Sequence, residues 1–230
     1  MLGILVELLI SWLLLWLIFK ANPTVLGFRP LKSRTLELVV GMLCASAICA
    51  IYHLSAKYFA GNSWGVNPRF TTASLLKSTF WTLKSVLFET LIFQGALLYI
   101  AIRKVGIGKA CGLSAICFGV YHWFSYGAFG NPVLMAFIFC MTAINGLLYA
   151  FAFAKTRSLY LPVGLHFGWN LCNIVIFSNG PLGQQLLVQA NANKLQGALS
   201  LIIFLFQVFA LPAITYFYLK RPNKLLAPAV

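Results

Sequence analysis

The sequence LGILVELLISWLLLWLIF, residues 2–19, determines the class of fold to which this chain belongs. Apart from Glu7 it carries no charge. As a helix rising ~1.5 Å per residue, it is long enough to cross, or nearly cross, ~30 Å of hydrocarbon. It lacks a basic leading segment and a small-residue cleavage site, so we expect an uncleaved membrane span rather than a signal peptide.

Apolar runs of similar length recur along the whole chain, which has 230 residues, 61% of them hydrophobic and only 9% charged. A soluble domain of this length needs far more polar surface. We therefore predict one domain over residues 1–230, an all-α, polytopic transmembrane bundle of about seven spans. The predicted spans are residues 2–19, 38–56, 79–102, 110–127, 133–154, 158–178 and 198–219.

The basic residues predict the orientation of the helices and argue against a nucleic-acid partner. The formal net charge is +14, from 17 Lys and Arg against three acidic residues. If the N-terminus lies outside, twelve basic residues fall in cytoplasmic segments, four in outer segments and one within a span. This bias predicts the N-terminus outside, the C-terminus inside and attraction to the anionic lipid of the bilayer. The cytoplasmic residues are Lys20, Arg29, Lys32, Arg34, Arg103, Lys104, Lys109, Lys155, Arg157, Lys220, Arg221 and Lys224.

Four polar side chains lie at similar depths in the predicted spans: Glu89, His122, His166 and Asn170. A charge at the centre of a bilayer costs about 2.5–3.5 kcal/mol on insertion scales, so the carboxylate of Glu89 needs an explanation. Depth can be counted along a continuous helix from the cytoplasmic charge that ends each span. Glu89 then lies about 21 Å deep, His122 and Asn170 about 20 Å, and His166 about 14 Å.

Residue spacing in the last of these spans places two of the four polar side chains on one face of a helix. His166 and Asn170 are four residues apart, so they share a helix face and can address one atom together. Gly164 and Gly168 bracket them in a pattern that lets a neighbouring backbone come close. A carboxylate that takes a proton, a histidine that shares it and a separate donor pair together make a hydrolytic site.

Three other polar residues within the spans are interpreted as structural. His53 lies near the outer end of its span and has no partner that the sequence identifies. Glu7 and Lys84 both lie toward the outer side of the membrane. We expect these two either to pair with each other or to extend to the membrane surface.

A glutamate motif, FxxxH and HxxxN, in this order, resemble the motifs of the CPBP family. This family contains CAAX prenyl endopeptidases and bacteriocin-processing or self-immunity proteins, which are intramembrane proteases. The segments LSAICFGVYHW (113–123) and SLYLPVGLHFGWNL (158–171) carry the resemblance, and the catalytic motifs fall within residues 85–175. The resemblance implies that Glu89 and His122 activate a water molecule, and that His166 and Asn170 form an oxyanion hole.

The first motif departs from the family pattern EExxxR. Here Glu89 is followed by Thr90, and Gln94 stands in place of the arginine. The second Glu and the Arg of the motif are four residues apart and can neutralise each other. Their joint replacement leaves Thr90 and Gln94 as an uncharged structural pair that can still hydrogen-bond, and it strands no charge in the bilayer. We interpret the change as one that leaves the catalytic set intact.

The resemblance predicts an intramembrane endopeptidase that cuts a membrane-associated or lipidated peptide or protein without a cofactor. A zinc metalloprotease with Glu89, His122 and His166 as ligands is one alternative. The chain has no HExxH motif, however, and Asn170 is a poor metal ligand but a good oxyanion donor, so we favour the glutamic type.

Two non-proteolytic alternatives remain open. One is a catalytically inactive relative that binds a membrane peptide as a scaffold. The other is a proton-coupled transporter, because intramembrane Glu and His form proton relays. The compact length and the lack of an organelle-targeting segment favour a bacterial plasma (inner) membrane as the location of this multi-pass protein.

Overall fold

A computed structural model of the protein describes residues 2–178, 180–191 and 193–220. The described residues form eight α-helices: α1 (Leu2–Phe19), α2 (Leu31–Phe59), α3 (Thr72–Gln94), α4 (Ala96–Val105), α5 (Ile107–Ser125), α6 (Pro132–Thr156), α7 (Tyr160–Asn170) and α8 (Gly197–Lys220). A π-helix, Leu171–Phe177, continues directly from α7. Two short antiparallel strands, β1 (Trp64–Val66) and β2 (Leu187–Gln189), join the loop after α2 to the loop before α8.

Six helical segments are long and apolar enough to cross a membrane, which confirms the predicted all-α polytopic bundle. These segments are Leu2–Phe19, Leu31–Phe59, Thr72–Val105, Pro132–Thr156, Tyr160–Phe177 and Gly197–Lys220. The predicted span at residues 110–127 corresponds to α5, which has 19 residues but is less apolar than the other six. Its long contact with α6 shelters part of its surface. The orientation of the termini stays a prediction, and Arg221 and Lys224 lie outside the described residues.

The predicted span at residues 79–102 is not one continuous helix. Gly95 separates α3 from α4 and has backbone angles φ −84° and ψ −134°. A β-carbon at this position would lie 2.2 Å from the carbonyl oxygen of Leu91, so the turn requires glycine. The depth of Glu89 was counted along one unbroken helix from Arg103, and this assumption is wrong because the two residues lie on different helices.

The helices α2 and α7 pack backbone against backbone. A β-carbon on Gly164 would lie 2.3 Å from the carbonyl oxygen of Leu38, and one on Gly168 would lie 2.2 Å from that of Met42. The close approach predicted for these two glycines is confirmed, and α2 is the partner. The hydroxyl of Ser46 also donates to the carbonyl oxygen of Gly168 at 2.9 Å. These contacts fix the helix that carries both predicted oxyanion donors.

A buried ion pair joins the beginning of α2 to the end of α6. Arg34 lies 2.8 Å from the carboxylate of Glu37, whose side chain is almost fully buried. The same guanidinium nitrogen donates to the carbonyl oxygen of Thr156 at 3.1 Å. A charged pair out of contact with water is stable only when such additional hydrogen bonds accompany it. Glu37 is thus a structural carboxylate.

Candidate active site

The carboxylate of Glu89 lies near the end of α3 and faces α5 and α7. Its side chain is 12% exposed. Ser85, one helical turn earlier, donates a hydrogen bond to Oε1 of Glu89 at 3.1 Å, as residues four apart on a helix can do. This bond orients the carboxylate and leaves Oε2 as the oxygen that meets the two neighbouring histidines.

His122 reaches Glu89 from α5. The hydroxyl of Ser114 donates to the carbonyl oxygen of Phe93 at 2.7 Å and thereby fixes α5 against α3. Nδ1 of His122 donates to the carbonyl oxygen of Phe118, also at 2.7 Å. Because a carbonyl oxygen only accepts, the neutral ring carries its proton on Nδ1 and presents a lone pair at Nε2. That Nε2 lies 3.9 Å from Oε2 of Glu89.

His166 approaches the same carboxylate oxygen from α7. Its Nε2 lies 3.7 Å from Oε2 of Glu89, and its ring is almost fully buried. The ring of Tyr149, on α6, stacks on it with a centroid distance of 4.7 Å and an interplanar angle of 19°. Nδ1 of His166 lies 3.5 Å from the hydroxyl of Thr90, the upper limit for a hydrogen bond. A hydroxyl donating to Nδ1 leaves the ring proton on Nε2, directed at the site.

The helices α5 and α7 therefore bring two imidazoles close to one carboxylate oxygen of α3, Oε2 of Glu89. The separations of 3.7 and 3.9 Å exceed the length of a direct hydrogen bond. They are short enough for a single water molecule, or a substrate carbonyl, to interact with more than one of the three groups. The ring of Phe118 lies against both imidazoles and makes one wall of the site apolar.

Asn170, the fourth predicted site residue, is less closely connected. It is the last residue of α7, one turn beyond His166, and it is half-buried. Its side chain forms no hydrogen bond with any residue that the structure describes. The π-helix begins at the next residue, and single-turn π segments occur frequently at functional sites. The amide is thus available to a ligand.

The π-helix also gives His53 a partner, which corrects its interpretation as an unpartnered residue. Nε2 of His53 hydrogen-bonds with Oδ1 of Asn173 at 2.9 Å. The imidazole stacks on Phe177, with centroids 4.8 Å apart and an interplanar angle of 8°. These contacts hold the π-helix against α2, three residues beyond Asn170.

Thr90 and Gln94, the predicted replacement of the family's Glu–Arg pair, do not form a pair with each other. Both side chains are buried, with exposures of 1% and 0%. Thr90 instead faces His166, whereas neither the oxygen nor the nitrogen of the Gln94 amide has a hydrogen-bond partner among the described residues. The spacing of Thr90 and Gln94 predicted that both side chains lie on one face of α3. It could not predict that Thr90 on this face meets His166 of α7.

Two further residues of the site were missed by the sequence analysis. Ser85 precedes Glu89 by four residues, and this spacing could have identified it. Tyr149 belongs to no motif, because it comes from α6 and meets His166 only in the folded chain. Ser85 orients the carboxylate of Glu89, and Tyr149 packs on the imidazole of His166.

The predicted alternative zinc ligands, Glu89, His122 and His166, face one another. Nevertheless, within the described ranges no group of three or more His, Cys, Asp or Glu side chains has an arrangement that could hold a metal ion. The hydrogen bond from Nδ1 of His122 would suit a metal ligand and a water-orienting histidine equally well. The metal-free reaction stays a prediction, which the response to a chelator tests.

Comparison with known proteins connects this cluster to a family. Residues 71–172 match the family model described as type II CAAX prenyl endopeptidase Rce1-like. The matched segment runs from the beginning of α3 into the π-helix and contains all four predicted site residues. Searches against curated proteins and against solved structures found no significant match.

Proposed function

We propose that this chain, whose residues 71–172 match the type II CAAX prenyl endopeptidase Rce1-like model, is a CPBP-family intramembrane protease that hydrolyses peptide bonds with Glu89 as general base. The observation that carries the proposal is the convergence of two imidazoles on one carboxylate oxygen, at 3.9 Å for His122 and 3.7 Å for His166. The reaction needs no covalent intermediate and no metal. The family match supports the general activity of a CAAX-type intramembrane endopeptidase, whereas the roles of individual residues are our proposal.

Water activation falls to Glu89 and His122. A water molecule between them donates one O–H to Oε2 of Glu89 and the other to the lone pair on Nε2 of His122. Glu89 takes the first proton as the water oxygen attacks the carbonyl carbon of the substrate. Ser85 holds the other carboxylate oxygen, so the accepting oxygen keeps its direction during the transfer.

Stabilisation of the tetrahedral intermediate falls to His166 and Asn170. When the Thr90 hydroxyl donates to Nδ1, His166 carries its ring proton on Nε2 and can donate a hydrogen bond to the developing oxyanion. The amide of Asn170 supplies a second donor from the same helix face. Donors fixed in a water-poor site stabilise charge strongly, and loss of one typically lowers kcat about 10²–10³-fold.

Collapse of the intermediate completes the reaction. The carbonyl re-forms, the carbon–nitrogen bond breaks, and the leaving nitrogen takes the proton held by Glu89. The products are a new carboxyl terminus and a new amino terminus, and Glu89 is again ionised. One water is consumed and no atom stays on the enzyme.

The substrate that fits this site is a membrane-associated or lipidated peptide or protein, because the catalytic cluster lies between helices that cross the bilayer. The location that we propose is a bacterial plasma membrane. Scaffold and transport functions would leave the peptide bond intact, so the appearance of new termini separates them from proteolysis.

The experiment compares peptide termini in native membranes that contain the wild type, Glu89→Gln, His122→Ala or Cys140→Ala. Cys140 is an exposed residue of α6 outside the cluster and serves as the control. We expect one set of termini to be present with the wild type and the control, and absent with both site variants at equal abundance. Identical termini in all four membranes would refute the proposed proteolysis.

A further inference from the structure

A cavity of about 300 Å³, partly open to the surroundings, lies between α1 and α3. Its wall contains two polar residues, Lys84 and Ser85, and four apolar ones, Gly3, Ile4, Trp81 and Phe88. Ser85 is the residue shared between this cavity and the active site, because its hydroxyl donates to Glu89 at 3.1 Å. The cavity therefore ends one hydrogen bond away from the general base.

The charged groups around this cavity have no partners in the described chain. The predicted pairing of Glu7 with Lys84 is not observed, since Lys84 forms no ion pair among the described residues. Glu7 lies on the same face of α1 as Gly3 and Ile4, which are four and three residues away. Both of its carboxylate oxygens are buried without a hydrogen-bond partner in the described parts of the chain. Polar groups at membrane depth that lack protein partners are commonly satisfied by ordered water.

The cavity has the size and the polar groups that water requires. A buried water molecule needs at least about 10–15 Å³ of space for its centre and two to four polar partners, and this cavity is well above that minimum size. Ser85 and Lys84 line the cavity, and Glu7 lies on the helix face that bounds it. An apolar cavity of this volume would stay dry, but this one contains an ammonium group and a hydroxyl.

We propose that the cavity between α1 and α3 is the water inlet of the active site, with Ser85 as the positioning residue between the cavity and Glu89. This inference rests on the proposed hydrolysis, which consumes one water for each peptide bond. The inlet explains why Lys84 is placed within a transmembrane helix. It also makes α1, which lies outside the segment matched by the family model, a part of the functional unit.

Thiol labelling tests whether the cavity is wet, independently of catalysis. The variants are Ser85→Cys and, as the matched control, Ser78→Cys, two turns nearer the start of α3 on almost the same face. Ser78 is 1% exposed and lies under Gln184, whose amide nitrogen is 3.5 Å from its hydroxyl. Folded protein in lipid vesicles is treated with a charged, membrane-impermeant thiol reagent, and peptide mass mapping distinguishes the new thiol from the native cysteines.

We expect modification of the thiol at position 85 and none at position 78, although position 85 lies deeper along α3. Labelling in the opposite order, or of neither thiol, in a preparation whose wild type hydrolyses peptide would overturn the inlet and leave the proposed function standing. Labelling at position 85 without any hydrolysis by the wild type would overturn the proposed function.

A second measurement tests whether this water reaches the reaction. Ile4→Trp fills the cavity from α1, and Ile10→Trp on the same helix is the control because Ile10 is 49% exposed to the surroundings. We expect Ile4→Trp to lower kcat without changing KM and Ile10→Trp to change neither, at equal thermal stability. Equal kcat for both variants and the wild type would overturn the inlet.

Discussion

Replacing Thr90 by valine removes the hydroxyl that faces Nδ1 of His166 while keeping the volume of the side chain. The separation of 3.5 Å is long, so the interaction lies at the weak end of the range for a hydrogen bond. A net worth of about 0.5–1 kcal/mol corresponds to a loss of about 2- to 5-fold in the population of the productive tautomer, and therefore in kcat. KM should stay unchanged, because the oxyanion forms only in the transition state.

The assay is steady-state peptide hydrolysis by purified protein in lipid vesicles, with two comparison variants. Thr90→Ser keeps the hydroxyl and should retain kcat. Thr82→Val is the matched control, since Thr82 is equally buried on α3 but donates to the carbonyl oxygen of Ser78 in its own helix. A kcat for Thr90→Val that equals that of Thr82→Val, or an effect confined to KM, would refute the assignment of the His166 tautomer.

Other substitutions and treatments separate the remaining parts of the site and fold. Asn170→Ala should lower kcat about 10²–10³-fold with little change in KM, and an unchanged kcat would remove this amide from the oxyanion hole. Hydrolysis should persist after treatment with a strong chelator, whereas a loss that zinc restores would establish the metalloprotease alternative. Arg34→Met should destabilise the fold by about 3–5 kcal/mol by stranding the buried Glu37, and the further change Glu37→Met should recover much of that loss in thermal unfolding. Gly168→Ala forces a β-carbon against the backbone of α2 and should cost at least about 1–3 kcal/mol, measured in the same assay; normal stability would contradict the close helix contact.

The hydrophobic pattern predicted the class of fold because a bilayer leaves a chain few other ways to satisfy its backbone. It could not predict the break at Gly95, since the apolar run continues through this residue without a change in pattern. The convergence of Glu89 with the two histidines was expected from motif order and depth, although the depth of Glu89 was counted through the break at Gly95.

The sequence did not predict which side chains of different helices meet. The interpretation of Thr90 as half of a pair with Gln94 used spacing within α3 alone, whereas α7 supplies the neighbour that Thr90 meets. Of the two arrangements expected for Glu7 and Lys84, their mutual ion pair is not observed among the described residues. The sequence placed both residues toward the outer side of the membrane but did not give the rotation of α1 relative to α3.

The convergence of two imidazoles on a single carboxylate oxygen makes the roles of Glu89, His122 and His166 interdependent. Oε2 of Glu89 is the atom that both rings approach, so a chain that loses this carboxylate gains little from keeping either histidine in place. Substitutions at the three positions should be strongly non-additive, and the second loss should cost far less than the first. In this chain Thr90 and Gln94 stand where the resembled motif has Glu and Arg, whereas all three members of the triplet are present.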